Sequence, residues 1–220
     1  MIVVVARDVG RWPLAHGQDP ADLLAEQGWS GRPLRAVLGE GEDVELHYSV
    51  TALPAPASAG PPDARAGAGG RTHQRLAAYA IVLDEGRLLM AQLSEQVGQA
   101  AGRWGLPGGG VEPGEEPVRG VVREVHEETG QHAIVEDLVQ VQSMHWVDEE
   151  APVDEREDFH AVRLIYRAHC PSPTAAEVVE IDGSTGAAAW VETAEVADLP
   201  LVSLMVGAWP FVPGNESYPL

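Results

Sequence analysis

Glu124, Glu127 and Glu128 set three carboxylates close together in a stretch of helical periodicity. At positions i, i+3 and i+4 they project from one side of a helix. Val118, Val121, Val122, Val125 and Thr129 recur at the same period and form an apolar stripe on another side. Like charges so placed repel by a few tenths of a kcal/mol per pair in water. In a partly buried cleft the cost rises to roughly 3 kcal/mol per pair at 6 Å and an effective dielectric near 20. Hard divalent cations relieve that repulsion, because they prefer carboxylate oxygens. A solvated glutamate face on an ordinary helix is the alternative reading of the same residues.

The residues before the helix favour the metal. Leu106-Pro107-Gly108-Gly109-Gly110-Val111-Glu112-Pro113-Gly114-Glu115 brings nearly bare backbone to the helix start. Glycines there permit positive φ and close approach of main-chain groups to a ligand. Arg123 is long enough to reach back to Glu115 and tie loop to helix.

Gly109, Glu115 and the run Arg123-Glu124-Val125-His126-Glu127-Glu128-Thr129-Gly130, spaced as they are here, resemble the Nudix box. Every charged and glycine position of that pattern is met. Seven type-fixed identities at about 7% background usage each have a chance frequency on the order of 10⁻⁸ per start position. The one departure is Gln131, where the family usually has an aliphatic residue that packs the helix end. The resemblance covers roughly Thr72 to Pro213 and implies a Nudix-like αβα sandwich with a mixed sheet, an α/β (α+β) fold. It assigns Mg²⁺ or Mn²⁺ binding to Glu124, Glu127, Glu128 and the Gly108 carbonyl, and a structural salt bridge to Glu115 and Arg123. A further acid is expected from the loop before the strand that holds Trp190, with Glu180 or Asp182 as candidates. The implied reaction is attack of a metal-activated water on a diphosphate linkage, in a nucleoside diphosphate joined to another group. The competing reading is a Nudix-fold nucleotide-binding or regulatory module that has lost its chemistry, which the intact glutamates oppose.

Substrate choice is less legible. The proline that often follows the box by sixteen residues in subfamilies resembling ADP-ribose hydrolases is replaced by Val147. The tyrosine of dinucleoside-polyphosphate hydrolases has no counterpart, and no coenzyme-A or NADH signature is present. A nucleoside triphosphate and a nucleotide sugar both fit. Arg103 and Trp104 are candidates to hold a phosphate and stack a base, with core packing as the alternative for Trp104. His145 and His160 read as polar strand positions, with substrate contact as the alternative. Asp148 to Asp158 holds seven acidic residues and reads as a solvated loop able to lend a ligand or base.

The elements that must position these groups follow from periodicity. Leu76–Leu83 and Arg87–Leu93 read as strands around the turn Asp84-Glu85-Gly86. The helix should run from Glu116 to Thr129 and stop at Gly130. Further strands are expected at Ile134–Trp146, Phe159–His169 and Ala188–Glu192, with helical segments over Ala194–Gly207. Residues 54–71, rich in Pro, Ala and Gly, read as a linker. It separates this hydrolase region, 72–220, from a small N-terminal α/β accessory segment, 1–53. In that segment strands are expected at Ile2–Ala6, Leu34–Leu38 and Val44–Val50, with a helix capped by Asp19 and opened by Pro20. So small a unit is marginally stable alone and should pack on the larger domain or on a second copy in a homodimer.

The chain has 34 acidic residues against 14 basic ones, all arginine, a formal net charge of −20. Such a field repels nucleic-acid backbones and anionic membranes. An enzyme of phosphates would then need bound divalent cations or a local arginine cluster to accept its anionic substrate. The lone Cys170 excludes an intramolecular disulfide and reads as a packed thiol. The apolar run at Ile2–Ala6 is too short for a signal peptide, and Leu199–Val212 is too short to span a bilayer. A cytoplasmic enzyme fits these features best, and the resemblance implies a small nucleotide or nucleoside-diphosphate derivative as its partner.

Overall fold

A computed structural model describes residues 1–57, 71–148, 156–181 and 183–213. The chain divides into two compact units, and both are discontinuous in sequence. The first holds Met1–Ala77, Glu112–Pro117 and Gln140–Leu164; the second holds Ala78–Val111, Val118–Val139 and Ile165–Leu220.

Strands β1 (Ile2–Ala6) and β2 (Gly10–Pro13) lead to helix α1 (Pro20–Glu26), followed by β3 (Trp29–Leu38) and β4 (Val44–Ala52). They form a four-stranded sheet in the order β2-β1-β4-β3. It is parallel between β1 and β4 and antiparallel elsewhere. The α1 cap is as expected: Asp19 accepts from the Ala21 N–H, Pro20 sits in the first turn, and Gly28 takes φ +86° just beyond the end. Strand β2 escaped the sequence reading, because Gly10-Arg11-Trp12-Pro13 is too short to show an alternation. Elsewhere in this unit the Glu116 carboxylate accepts from the Leu38 N–H at 3.0 Å.

The remaining strands are β5 (Arg71–Asp84), β6 (Arg87–Leu93), β7 (Trp104–Gly105), β8 (Gly108–Gly110), β9 (Ile134–Val147), β10 (Glu157–His169) and β11 (Thr185–Glu192). Their order is β11-β6-β5-β10-β9, with β7 paired to β6 and β8 to β5. The β5–β6 turn has Glu85 at φ +46° and Gly86 at φ +86°, the positive pair that tight hairpins require. Helix α2 (Pro117–Thr129) carries the three glutamates, and the short α3 (Leu204–Ala208) lies between 3₁₀ turns near the C-terminus. Leu88, Met90, Ile165, Met205 and Trp209 are central to the core of the second unit. Within α2, Val121, Val125 and Thr129 are fully buried, whereas Val118 is exposed. The apolar stripe therefore begins one turn later than its spacing implied, with the side-chain-free Gly120 buried near the helix start. Among the described residues no helix is long and apolar enough to cross a membrane.

Candidate active site

The glycine loop is shaped by what surrounds it. Gly108 has φ +145°, and a Cβ there would lie 2.2 Å from the Ala78 carbonyl oxygen and 2.6 Å from the Tyr79 Cα. Only glycine fits. A Cβ on Gly109 would lie 2.6 Å from a Glu124 carboxylate oxygen, so that carboxylate rests directly against bare main chain.

Each glutamate of α2 is held differently. Glu128 is buried at 5% exposure. It accepts from the Gly108 N–H at 2.8 Å through one oxygen and from the Thr185 hydroxyl through the other. Burial pushes its pKa up to about 7; the two hydrogen bonds oppose the shift and the charges of Glu124 and Glu180 add to it. Burial likewise raises Glu124, against the pull of Arg123, with smaller contributions from Glu127 and Glu180. One guanidinium nitrogen of Arg123 donates to Glu124 at 3.0 Å and Glu127 at 2.9 Å, and the other to the Gly110 carbonyl at 3.1 Å. Arg123 thus ties loop to helix through the Gly110 carbonyl while neutralising part of the acidic face. Glu115 accepts from the Glu112 N–H at 2.9 Å, which closes the turn at the other end of the loop.

Glu180 arrives from a segment with no regular structure. The main chain after β10 laces onto the end of α2: Glu177 N–H donates to the Thr129 carbonyl, and Val179 and Glu180 N–H both donate to the Glu127 carbonyl. These carbonyls are among those that a helix end leaves without intrahelical partners. The lacing puts the Glu180 charge where Glu124 and Glu128 both feel it. Gly183 makes room, since a Cβ there would strike the Glu180 carboxylate at 2.1 Å. Asp182, the other candidate, lies outside the described residues.

Gln131 belongs to the same lacing. It is 1% exposed. Its amide donates to Thr174 Oγ1 at 3.0 Å and the Ala175 carbonyl at 3.1 Å, and its oxygen accepts from the Thr174 N–H at 3.0 Å. An aliphatic residue would remove these hydrogen bonds and leave the Ala175 carbonyl and the Thr174 N–H without this partner. Gln131→Leu is therefore expected to destabilise the protein by about 0.5–1.5 kcal/mol, although it restores the commoner residue type. Urea unfolding at constant m-value checks this, and an unchanged midpoint would show that the amide contributes nothing net.

The remaining candidates have other surroundings. Trp104 is partly buried against the core, and its main chain bridges to Pro200 and Val202. Arg103 is exposed and donates to the Leu201 carbonyl at 3.1 Å. Cys170 is a buried free thiol with its pKa pushed up by burial, as expected of a packed cysteine. In the first unit, His145 and His160 lie in a partly buried cluster with His16 and Asp158. Nothing in the sequence reading had placed His16 there. Of the acidic run, 149–155 lies outside the described residues.

The donors assembled on α2, its glycine loop and Glu180 are hard oxygens of high negative charge density. They suit Mg²⁺ or Mn²⁺ and would not select a soft metal. A NUDIX-domain family model matches residues 73–211, well over half of the chain. The chain belongs to the Nudix family. Curated relatives include the nucleoside triphosphatase NudI of Salmonella agona and of Salmonella schwarzengrund, each 37% identical over 65 residues. That stretch is 30% of this chain and 46% of either relative, so the chain spans about half the length of the curated relatives it matches. A MutT Nudix hydrolase structure from Burkholderia pseudomallei is 29% identical over 63% of this chain and 97% of that one, at a TM-score of 0.43. A Nudix hydrolase from Nitrosomonas europaea is 20% identical over 67% and 94% of the two chains, at a TM-score of 0.50. The latter likeness shows the fold alone. The mixed α+β Nudix fold expected from the box is the fold of this chain.

Proposed function

We propose that this Nudix protein hydrolyses the diphosphate linkage of a nucleoside diphosphate joined to another group, using Mg²⁺ or Mn²⁺. The observation that carries the reading is the gathering of Glu124, Glu127, Glu128 and Glu180 around a bare glycine loop. Four acids on one face, two of them with raised pKa, are unfavourable unless cations are bound there. Glu124, Glu127, Glu128 and the Gly108 carbonyl are the proposed ligands, and Glu180 is a further ligand or the general base. A dication so held lowers the pKa of bound water and offsets charge on phosphoryl oxygens.

The protein's own contribution is positioning. The Gly108 N–H and the Thr185 hydroxyl fix the plane of the Glu128 carboxylate, so its orientation costs nothing when ligands arrive. Arg123 holds Glu124 and Glu127 in one orientation; its bridge to Glu115, which the family resemblance implies, is retained as part of the proposal. Arg103 and Trp104 are proposed substrate contacts at the edge of the site. Residues 72–220 are proposed as the hydrolase domain and 1–53 as an accessory segment.

Nucleoside triphosphates come first in a substrate panel, because the curated relatives are named nucleoside triphosphatases. Nucleotide sugars come second. Phosphate and pyrophosphate release with Mg²⁺, with Mn²⁺ and with chelator tests the proposal directly. Binding of nucleotides without consumption of any of them would favour the inactive binding module instead.

Glu180 has its own test. Glu180→Gln is expected to weaken Mn²⁺ binding or lower kcat by at least the ~10–100-fold typical of an outer-shell partner, whereas Glu177→Gln in the same segment is expected to be neutral. Equal, small effects from both changes would make Glu180 a solvated loop acid.

A further inference from the structure

The first unit contains a group of side chains whose chemistry differs from that of the glutamate helix. His16 comes from the loop between β2 and α1, His145 from β9 and Asp158 from β10. The Nε2 atoms of both histidines converge on one oxygen, Oδ1 of Asp158, at 2.7 and 2.6 Å. The three donor atoms lie within 4.8 Å of one another. Side-chain exposure falls from 21% for His16 to 6% for His145 and 3% for Asp158, so the group is closed on the strand side and open at the loop.

The surroundings hold these donors in place. His160, fully buried, stands edge-on to the His16 and His145 rings at 5.5 and 6.4 Å. The Ser143 hydroxyl gives its single proton to the Gln18 carbonyl. It must therefore accept from His160 Nε2, at 2.9 Å, while His160 Nδ1 accepts from the Gln74 amide at 3.0 Å. These bonds fix His160 as a neutral ring with both nitrogens in use, a support and not a ligand. Gly17 at φ +76° turns the loop so tightly onto β9 that a Cβ would lie 3.3 Å from the His145 ring. That turn carries His16 to the same carboxylate.

We propose that His16, His145 and Asp158 form a second metal site, for a transition-metal dication of the Zn²⁺ class. Two imidazoles and one carboxylate from three separate elements are the donor set that Zn²⁺ and its neighbours take with three protein ligands and one open position. Mg²⁺ and Mn²⁺, which prefer oxygen, are better served by the α2 glutamates. The open face at His16 is where ions enter and where a water completes the coordination. The two hydrogen bonds to Asp158 Oδ1 hold the ligands together in its place. A tetrahedral ion would widen the two nitrogen–oxygen spacings by roughly 0.6 Å, since metal–ligand bonds of about 2.0–2.1 Å set wider spacings than hydrogen bonds do. Because His16 and Asp158 are far apart in sequence, the ion staples the N-terminal loop to two strands of the same unit.

The test uses the full-length, metal-stripped protein with Mg²⁺ in excess to fill the oxygen site. Competition against a chromophoric chelator should show one tight Zn²⁺ equivalent. Cu²⁺ in its place should give an electron-paramagnetic-resonance spectrum with nitrogen coupling. His16→Gln, on the rim where the fold least depends on it, should lose at least 100-fold in Zn²⁺ affinity, beyond the ~10–100-fold typical of an outer-shell partner. Asp158→Asn should lose as much, Glu127→Gln should retain wild-type affinity, and Zn²⁺ should raise the unfolding temperature of the wild type but not of His16→Gln. The proposal fails if the wild type binds no tight Zn²⁺. It fails equally if His16→Gln, folded by circular dichroism, binds Zn²⁺ within threefold of wild type.

Discussion

Replacing Glu127 by Gln is expected to lower kcat by at least ~100-fold on the best substrate, with secondary structure and unfolding temperature close to wild type. Glu127 is 34% exposed at its side chain and pairs with Arg123, which keeps Glu124 and the Gly110 carbonyl as partners. The change therefore removes charge from the cation site without opening the core. A surface pair of this kind contributes about 0–1 kcal/mol to stability, far too little to explain a large loss of rate. Loss of a ligand should exceed the 10–100-fold cost of losing an outer-shell partner. Glu128→Gln is expected to lose as much, since its carboxylate is aimed by Gly108 and Thr185. Steady-state kinetics over a range of Mn²⁺ concentrations, with circular dichroism as the folding control, gives the answer. If both variants turn over within threefold of wild type at saturating metal, the glutamates of α2 do not hold the catalytic cation.

What could be read from the sequence divides along physical lines. The helix, its stop at Gly130 and the clustering of its acids depend on a local period and on glycine, and the structure has them where the spacing put them. The strands at Ile2–Ala6 and Arg87–Leu93 were legible because short apolar runs end in turn residues. The main-chain lacing of 177–180 onto α2 was not legible, because hydrogen bonds to helix carbonyls ask nothing of side-chain type. Gln131 carried the only hint of it: a buried polar side chain at an apolar position needs hydrogen-bond partners, and the main chain of Thr174 and Ala175 supplies them. The histidine cluster was hidden for another reason. His145 and Asp158 sit on strands where single polar residues are ordinary, and His16 reaches Asp158 across a sequence separation of 142. No local pattern encodes a contact of that range, whereas a box of fixed spacing on one loop and one helix is encoded almost entirely locally.

Ionisation of Glu128 is expected to cost the metal-free protein stability between pH 4.5 and 7, seen as a difference from Glu128→Gln. Burial lifts that carboxyl from 4.5 to about 7 in the folded chain. Below pH 4.5 it is protonated in both states and contributes no pH dependence. Between 4.5 and 7 the unfolded chain releases the proton first, so each pH unit favours unfolding by about 1.4 kcal/mol. Above 7 both states are ionised and the full penalty, on the order of 3 kcal/mol, persists. His160 acts in the opposite sense. Burial lowers it from 6.5 to about 4, so the stability it contributes at neutral pH is lost as pH falls through that window. The two slopes nearly cancel between pH 4.5 and 6.5, and the wild-type curve alone would hide both. The difference between wild type and Glu128→Gln removes the histidine contribution. That difference should be near zero at pH 4.5 and grow until the variant is more stable by about 3 kcal/mol at pH 8. Mn²⁺ should then stabilise the wild type at pH 8 by mass action and leave Glu128→Gln much less affected, because the ion makes use of the charge that is costly without it. Urea midpoints at five pH values, with and without Mn²⁺, would decide. A difference independent of pH would mean that Glu128 is ionised throughout, with its charge already offset by Thr185, Gly108 and the solvent at the site.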